Sequence, residues 1–178
     1  LAEKEVVTGE DEDDPNGRAK GAASHRILEH LGRERPLPET AAVVAALVGE
    51  GVSEIEAKPL AIEILQEVEL CLHEEFFSWL LSNKHPQAYC EWSLEDRPAA
   101  DQIRSGTVDR VVFDGTNWWV VDYKTGRPSG GEKVDDFLER QTLRYRGQLL
   151  AYGEMVANYF NLVVNAVRPV LYFTALQR

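Results

Sequence analysis

Apolar positions recur at helical spacing through the first half of the chain, then change to the β-rich patterning of strands. RAKGAASHRILEHLG (18–32) lines up Ala22, Ile27, Leu28 and Leu31 and ends at Gly32, where a helix cap is expected. RERPLPE breaks the pattern, and TAAVVAALVGEG predicts a second helix stopped by Gly51. Ser53 with Glu56 has the spacing of a capping box. From Pro59 to Asn83 runs a strongly amphipathic stretch, one long helix or two.

Residues 87–95, 103–113 and 117–125 are rich in β-branched and aromatic side chains and predict strands. Residues 126–133, GRPSGGEK, predict a loop, and 134–160 a helix. LVVNAV and VLYFTAL predict two short strands. Helices, an antiparallel meander, a helix and further strands make an α/β domain with a mixed central sheet and helices packed on it. The expected organisation is an acidic linker over 1–17 and one domain over 18–178, with a helical part (18–86) and a sheet core with its site helix (87–178).

Composition narrows the classes. The 178 residues, 44% hydrophobic and 28% charged, suit one globular domain. No apolar run approaches the roughly 20 residues of a membrane span, no signal peptide opens the chain, and the first residue is Leu. An excised piece of a longer protein, with no membrane partner, is expected. Cys71 and Cys90 are the only cysteines and form no C-x-x-C pair. That argues against a disulfide framework, a zinc site or a four-cysteine iron–sulfur cluster, and for a reducing compartment.

The net charge of -11 is uneven, since residues 1–14 hold seven acids against Lys4. Arg127, Lys133, Arg140, Arg144 and Arg146 gather later in the chain, so net charge does not decide the partner. GRPSGGEK superficially resembles a phosphate-binding P-loop, but Glu132 stands where that loop needs lysine, which argues against nucleotide binding.

The chemistry lies in TVDRVVFDGTNWWVVDYKTG (107–126). Strand alternation puts Trp118, Val120, Asp122 and Lys124 on one face and Trp119, Val121 and Tyr123 on the other. A two-residue turn at Gly115-Thr116 sets Asp109 opposite Asp122. Opposed like charges destabilise a ladder, so two such carboxylates need a cation between them or a proton on one. Hard oxygen ligands suit Mg²⁺, and a lysine beside them suits phosphodiester hydrolysis. The plainer alternative makes Asp122 and Lys124 solvated strand-end charges and pairs Asp109 with Arg110 or Arg104.

The surroundings add G-x-x-D-R-V before the turn, D-Y-K-T after it, Q-x-x-x-Y (Gln148, Tyr152) in the next helix, Gly21 and His25 in the first helix, and Glu91 in the preceding strand. Together, over roughly residues 18–175, these resemble the RecB/AddA-type nuclease domain of the PD-(D/E)xK superfamily, found at the C-terminal end of UvrD-like helicase–nucleases. The resemblance implies a restriction-endonuclease-like core. It makes His25, Asp109, Asp122 and the Tyr123 carbonyl metal ligands, with Lys124 orienting the attacking water and stabilising charge on the phosphate. Glu91 matches an acidic position near the metal; Glu91 and Gln148 are expected among the catalytic residues, and Gln148, Tyr152, Arg144 and Arg127 against DNA. The motor motifs of a helicase and the four cysteines of the iron–sulfur relatives are absent.

The same resemblance implies a Mg²⁺-dependent deoxyribonuclease domain, with Mn²⁺ substituting. It would lack an iron–sulfur cluster and a nucleotide, and would come from a bacterial, cytoplasmic helicase–nuclease of double-strand-break repair and recombination. The expected partners are DNA, a UvrD-like motor on the same polypeptide and a second helicase–nuclease subunit. The rivals are a catalytically inactive nuclease-fold module with a structural or DNA-sensing role, and a stand-alone nuclease of the same superfamily. Taken singly, His25 also reads as a core or surface histidine, Glu91 as an arginine's partner, Gln148 as helix surface and Tyr152 as a core aromatic. Trp118 and Trp119 read as packing residues, and His30, His73 and His85 as structural or surface ones.

Overall fold

The structure, a computed structural model, describes residues 15–99 and 102–178; the acidic leader as far as residue 14 lies outside them. The described chain forms two compact units. One comprises residues 15–82 with Lys124–Gly126 and Phe173–Arg178, the other Asn83–Tyr123 and Arg127–Tyr172. Among the described residues no helix is long and apolar enough to cross a membrane.

The first unit carries α1 (Pro15–Gly32), α2 (Thr40–Gly49), α3 (Glu54–His73) and α4 (Glu75–Leu80). Their apolar stripes meet in one core, which includes Ala23, Ile27 and Leu28 of α1, Leu47 of α2, Ile64 and Val68 of α3 and Phe77 of α4. The Lys20 ammonium bonds Glu63 at 2.9 Å and Glu67 at 2.8 Å, tying α1 to α3. The cap of α1 departs from the expectation. Gly32 is the last helical residue, and the left-handed turn falls on Glu34 (φ 59°). The Arg35 N–H closes that turn on the His30 carbonyl at 3.1 Å.

At the end of α2 the glycine has the expected role. Gly51 (φ 94°) turns left-handed, and the Val52 N–H reaches back to the Leu47 carbonyl at 3.1 Å in a Schellman cap. Ser53 caps α3 by accepting the Glu56 N–H, as its spacing predicts. The amphipathic stretch is two helices, because Glu74 (ψ 134°) turns extended between α3 and α4. The segments after β3 and β4 are fastened in this unit. The Thr174 N–H donates to the Lys124 carbonyl at 2.9 Å, and the Cys71 thiol donates to the Thr174 carbonyl at 3.3 Å.

The second unit is built on the mixed four-stranded sheet, in the order β1 (Gln87–Ala99), β2 (Gln102–Phe113), β3 (Trp118–Lys124), β4 (Val167–Phe173). The strands β1, β2 and β3 form an antiparallel meander. After β3 the long helix α5 (Val134–Tyr159) carries the chain round, and β4 returns beside β3. Met155, Val156 and Ala157 of α5 pack against Leu94, Val108, Val111, Trp118 and Val120 of the sheet. This is the α/β class that the pattern predicts.

LVVNAV is not a strand. α5 ends in a Schellman cap with Asn161 left-handed (φ 55°) and the Leu162 N–H on the Ala157 carbonyl at 2.8 Å. Val164–Ala166 then form a single 3-10 turn before β4. The cap takes up the leucine, and Val163 and Val164 are left exposed.

Candidate active site

The two-residue turn sets the register. Asp114 accepts the Thr116 and Asn117 N–H groups on one oxygen, at 2.8 and 2.7 Å, and the Trp119 indole N–H on the other at 2.7 Å. Gly115 holds φ 97°, a conformation that costs glycine little. The strands then pair Phe113 with Trp118, Val112 with Trp119, Val111 with Val120 and Arg110 with Val121. One more step of that register sets Asp109 opposite Asp122.

The regular ladder stops just there. The Asp109 Oδ2 instead accepts the Tyr123 N–H at 2.6 Å, so the carboxylate is fastened to the backbone next to Asp122. Both aspartates are buried, Asp109 at 8% exposure and Asp122 at 3%. That is unusual for strand-end charges that water would otherwise solvate.

The same level on β1 is occupied by Glu91. Cys90 pairs with Arg110 and Trp92 with Val108, so the register continued through the gap sets Glu91 beside Asp109. Oxygens of the two carboxylates lie within 4.8 Å of each other. Three acidic residues thus stand in a row across three adjacent strands.

The row coincides with a fault in the pleat. Residues three apart on a regular strand face opposite ways. Yet Tyr89 and Trp92 stack with ring centroids 4.3 Å apart, and Val108 and Val111 share one cluster. Alternation skips a beat on both strands between these residues. Glu91, at φ 46°, adopts the left-handed conformation that glycine favours. A non-glycine residue held there costs about 1 kcal/mol, a strain that gathers at functional sites.

The two arginines named as plain partners for Asp109 make further contacts on the sheet. Arg104 forks onto its cross-strand neighbour Asp96 at 2.9 and 2.6 Å and reaches Glu154 of α5 at 2.8 Å. Arg110 is 2% exposed and donates to the Cys90 sulfur at 2.9 Å. Burial pushes the Tyr123 phenol well above its usual range, partly offset by the Arg110 charge. Trp118 is in the core, and Trp119 is held by Asp114 with the Arg168 guanidinium 5.9 Å from its ring, as packing residues.

The expected residues on α5 meet in part. Gln148 Nε2 donates to the Tyr152 hydroxyl at 3.0 Å, one helical turn apart. Arg144 lies over the ring of Tyr145 at 5.7 Å, and Arg127 is exposed between β3 and α5. In the helical unit a Cβ on Gly21 would stand 3.8 Å from Thr125 Oγ1, so α1 runs beside the segment that follows β3. His25 stands one turn beyond Gly21, on the same stripe of α1. Lys124 is the last residue of β3, two positions after Asp122.

The donor set suits a hard cation. Clustered carboxylate oxygens are hard ligands for a divalent cation, and neither cysteine belongs to the row. Gly106, the first residue of the G-x-x-D-R-V stretch, lies against Tyr152, a close approach that exists only in three dimensions.

The chain is 25% identical over 189 aligned residues, or 97% of its length, to an ATP-dependent helicase/nuclease subunit of Limosilactobacillus fermentum. It spans about 14% of that relative's length. The family model of the PD-(D/E)XK nuclease superfamily, whose members generally use divalent metals, matches residues 3–176. The chain belongs to the PD-(D/E)XK nuclease superfamily.

Proposed function

We propose that this chain is a Mg²⁺-dependent deoxyribonuclease domain, with Mn²⁺ as a substitute, that hydrolyses DNA phosphodiester bonds. The observation that carries the reading is the row Glu91, Asp109, Asp122 at the fault in the sheet, with Lys124 next on β3. Asp109, Asp122, the Tyr123 carbonyl and His25 would hold the cation, and Glu91 would give a further contact or orient a ligand. A bound divalent cation supplies Lewis-acid polarisation of the phosphate and a more acidic water. The Tyr123 N–H keeps the Asp109 carboxylate turned toward β3. Lys124 orients the attacking water and meets the negative charge that develops on the phosphate. Gln148 and Tyr152, with Arg144 and Arg127, contact the DNA backbone.

The relative's name is that of a helicase/nuclease subunit, and the chain matches only a small share of it. This supports a setting in a bacterial, cytoplasmic helicase–nuclease of break repair and recombination, with a UvrD-like motor on the same polypeptide and a second subunit. Asp109, Asp122 and Lys124 together speak against an inactive module.

Cleavage of linear duplex and single-stranded DNA should require Mg²⁺ or Mn²⁺ and stop with EDTA or with Ca²⁺ alone. Asp122→Ala should lose both cleavage and metal affinity measured by calorimetry. Lys124→Ala should lose cleavage and keep the metal. Robust cleavage in EDTA defeats the mechanism, and equal loss of metal binding in both variants defeats the role given to Lys124.

A further inference from the structure

Gly106 lies on β2 three residues before Asp109 and pairs with Leu94. Its backbone is not in the left-handed region, so no turn demands a glycine. What demands it is Tyr152. A Cβ built on Gly106 would stand 2.6 Å from Tyr152 Cε1, 3.4 Å from Cδ1 and 3.6 Å from Cζ. A contact under 3 Å has to move something. The ring cannot slide freely, because it packs on the cluster of Leu94, Val108, Met155 and Val156. Nor can α5 back away easily. Two and six residues beyond Tyr152, Glu154 and Asn158 are tied to Arg104 and Asp96 of the same hairpin, at 2.8 and 3.1 Å. The remaining escape is a change of the Tyr152 rotamer, which swings its hydroxyl away from Gln148.

We infer that Gly106 is a positioning residue of the nuclease site: its missing side chain seats Tyr152, and Tyr152 in turn aims Gln148. One strand then carries both the Asp109 carboxylate and the notch that fixes the Gln148–Tyr152 pair relative to it. The inference rests on the nuclease reading. A glycine inside a strand ordinarily weakens it, so replacement by alanine would be neutral or stabilising were the notch not used.

The test takes Gly106→Ala, Tyr152→Ala and the double variant of this 178-residue chain. Each is assayed for single-turnover cleavage of a single-stranded oligonucleotide at saturating DNA and Mg²⁺. Gly106→Ala should slow cleavage roughly tenfold or more through the turnover step, with the DNA dissociation constant within about threefold of the parent. The double variant should match Tyr152→Ala alone, because without the ring there is nothing to displace. A near-parental rate for Gly106→Ala overturns the inference, as does an undiminished further loss when it is added to Tyr152→Ala. If Gly106→Ala fails to fold, a folded double variant at the Tyr152→Ala rate supports the contact, and an unfolded one overturns it. A parent that cleaves nothing with Mg²⁺ or Mn²⁺ defeats the nuclease reading instead. The melting temperatures then decide the contact, since Gly106→Ala should destabilise only where Tyr152 is present.

Discussion

Asp109→Asn separates the two roles of one carboxylate. Asparagine keeps the shape and keeps an acceptor for the Tyr123 N–H, now 2.6 Å from the Asp109 oxygen. What it removes is the charge facing Glu91. At the outer limit of their separation, 4.8 Å, two unit charges repel by roughly 3.5 kcal/mol at an effective dielectric constant near 20. Solvent on the half-buried Glu91 and the buried Arg110 guanidinium next in sequence reduce this, so about 1 kcal/mol of relief is expected. For a chain of this length that raises the metal-free melting temperature by about 2–4 °C. Asp109→Ala deletes the acceptor as well. Stranding the Tyr123 N–H costs about 1–3 kcal/mol and should cancel or reverse the gain.

Metal reverses the order. The parent should gain stability as Mg²⁺ or Mn²⁺ is titrated in, because ligand binding to the folded state adds to it by mass action. Asp109→Asn should gain far less and should not cleave DNA. Thermal melts in EDTA and across a metal titration give both numbers from one protein. If Asp109→Asn melts below the parent in EDTA, the carboxylates do not repel and the cation-binding row is wrong.

Two further outcomes concern the hairpin. The Arg104 guanidinium holds the Asp96 carboxyl below its ordinary value near 3.8, while burial works the other way. A depressed folded value gives stability that is present above the unfolded pKa and lost as pH falls through the folded one. Arg104→Ala should therefore cost about 1–2 kcal/mol at pH 7, with the gap to the parent closing below about pH 4 in urea melts. A gap that persists at pH 2 refutes the ion pair. At the turn, burial tends to raise the Asp114 carboxyl, and the N–H groups of Asn117, Trp119 and Thr116 outweigh it and hold it low. Asp114→Ala should cost about 1–2 kcal/mol with the same acid dependence and a shift in tryptophan fluorescence; unchanged fluorescence would mean that Trp119 does not rely on Asp114.

The turn chemistry of Asp114-Gly115-Thr116-Asn117 was enough to fix the register of β2 and β3, because a two-residue loop leaves the strands no freedom to slip. Helical periodicity found α1 to α3 and α5 for a similar local reason. What escaped the pattern is non-local. The partners of Arg104, the notch at Gly106 and the cap that consumes Leu162 depend on what α5 lies against. The fault at Glu91 escaped because no glycine or proline marks it, and a glutamate was not expected at φ 46°. That mismatch yields its own test. Glu91→Gln and Glu91→Gly remove the same charge, but only glycine removes the left-handed strain of about 1 kcal/mol. Glycine's greater unfolded entropy offsets part of it, so Glu91→Gly should melt about 1–2 °C above Glu91→Gln. If the strain serves to aim the carboxylate, both variants should lose cleavage alike, since neither has a carboxylate to aim. A glycine variant no more stable than the glutamine variant shows that the backbone there is unstrained, and the bend in the sheet then needs another cause.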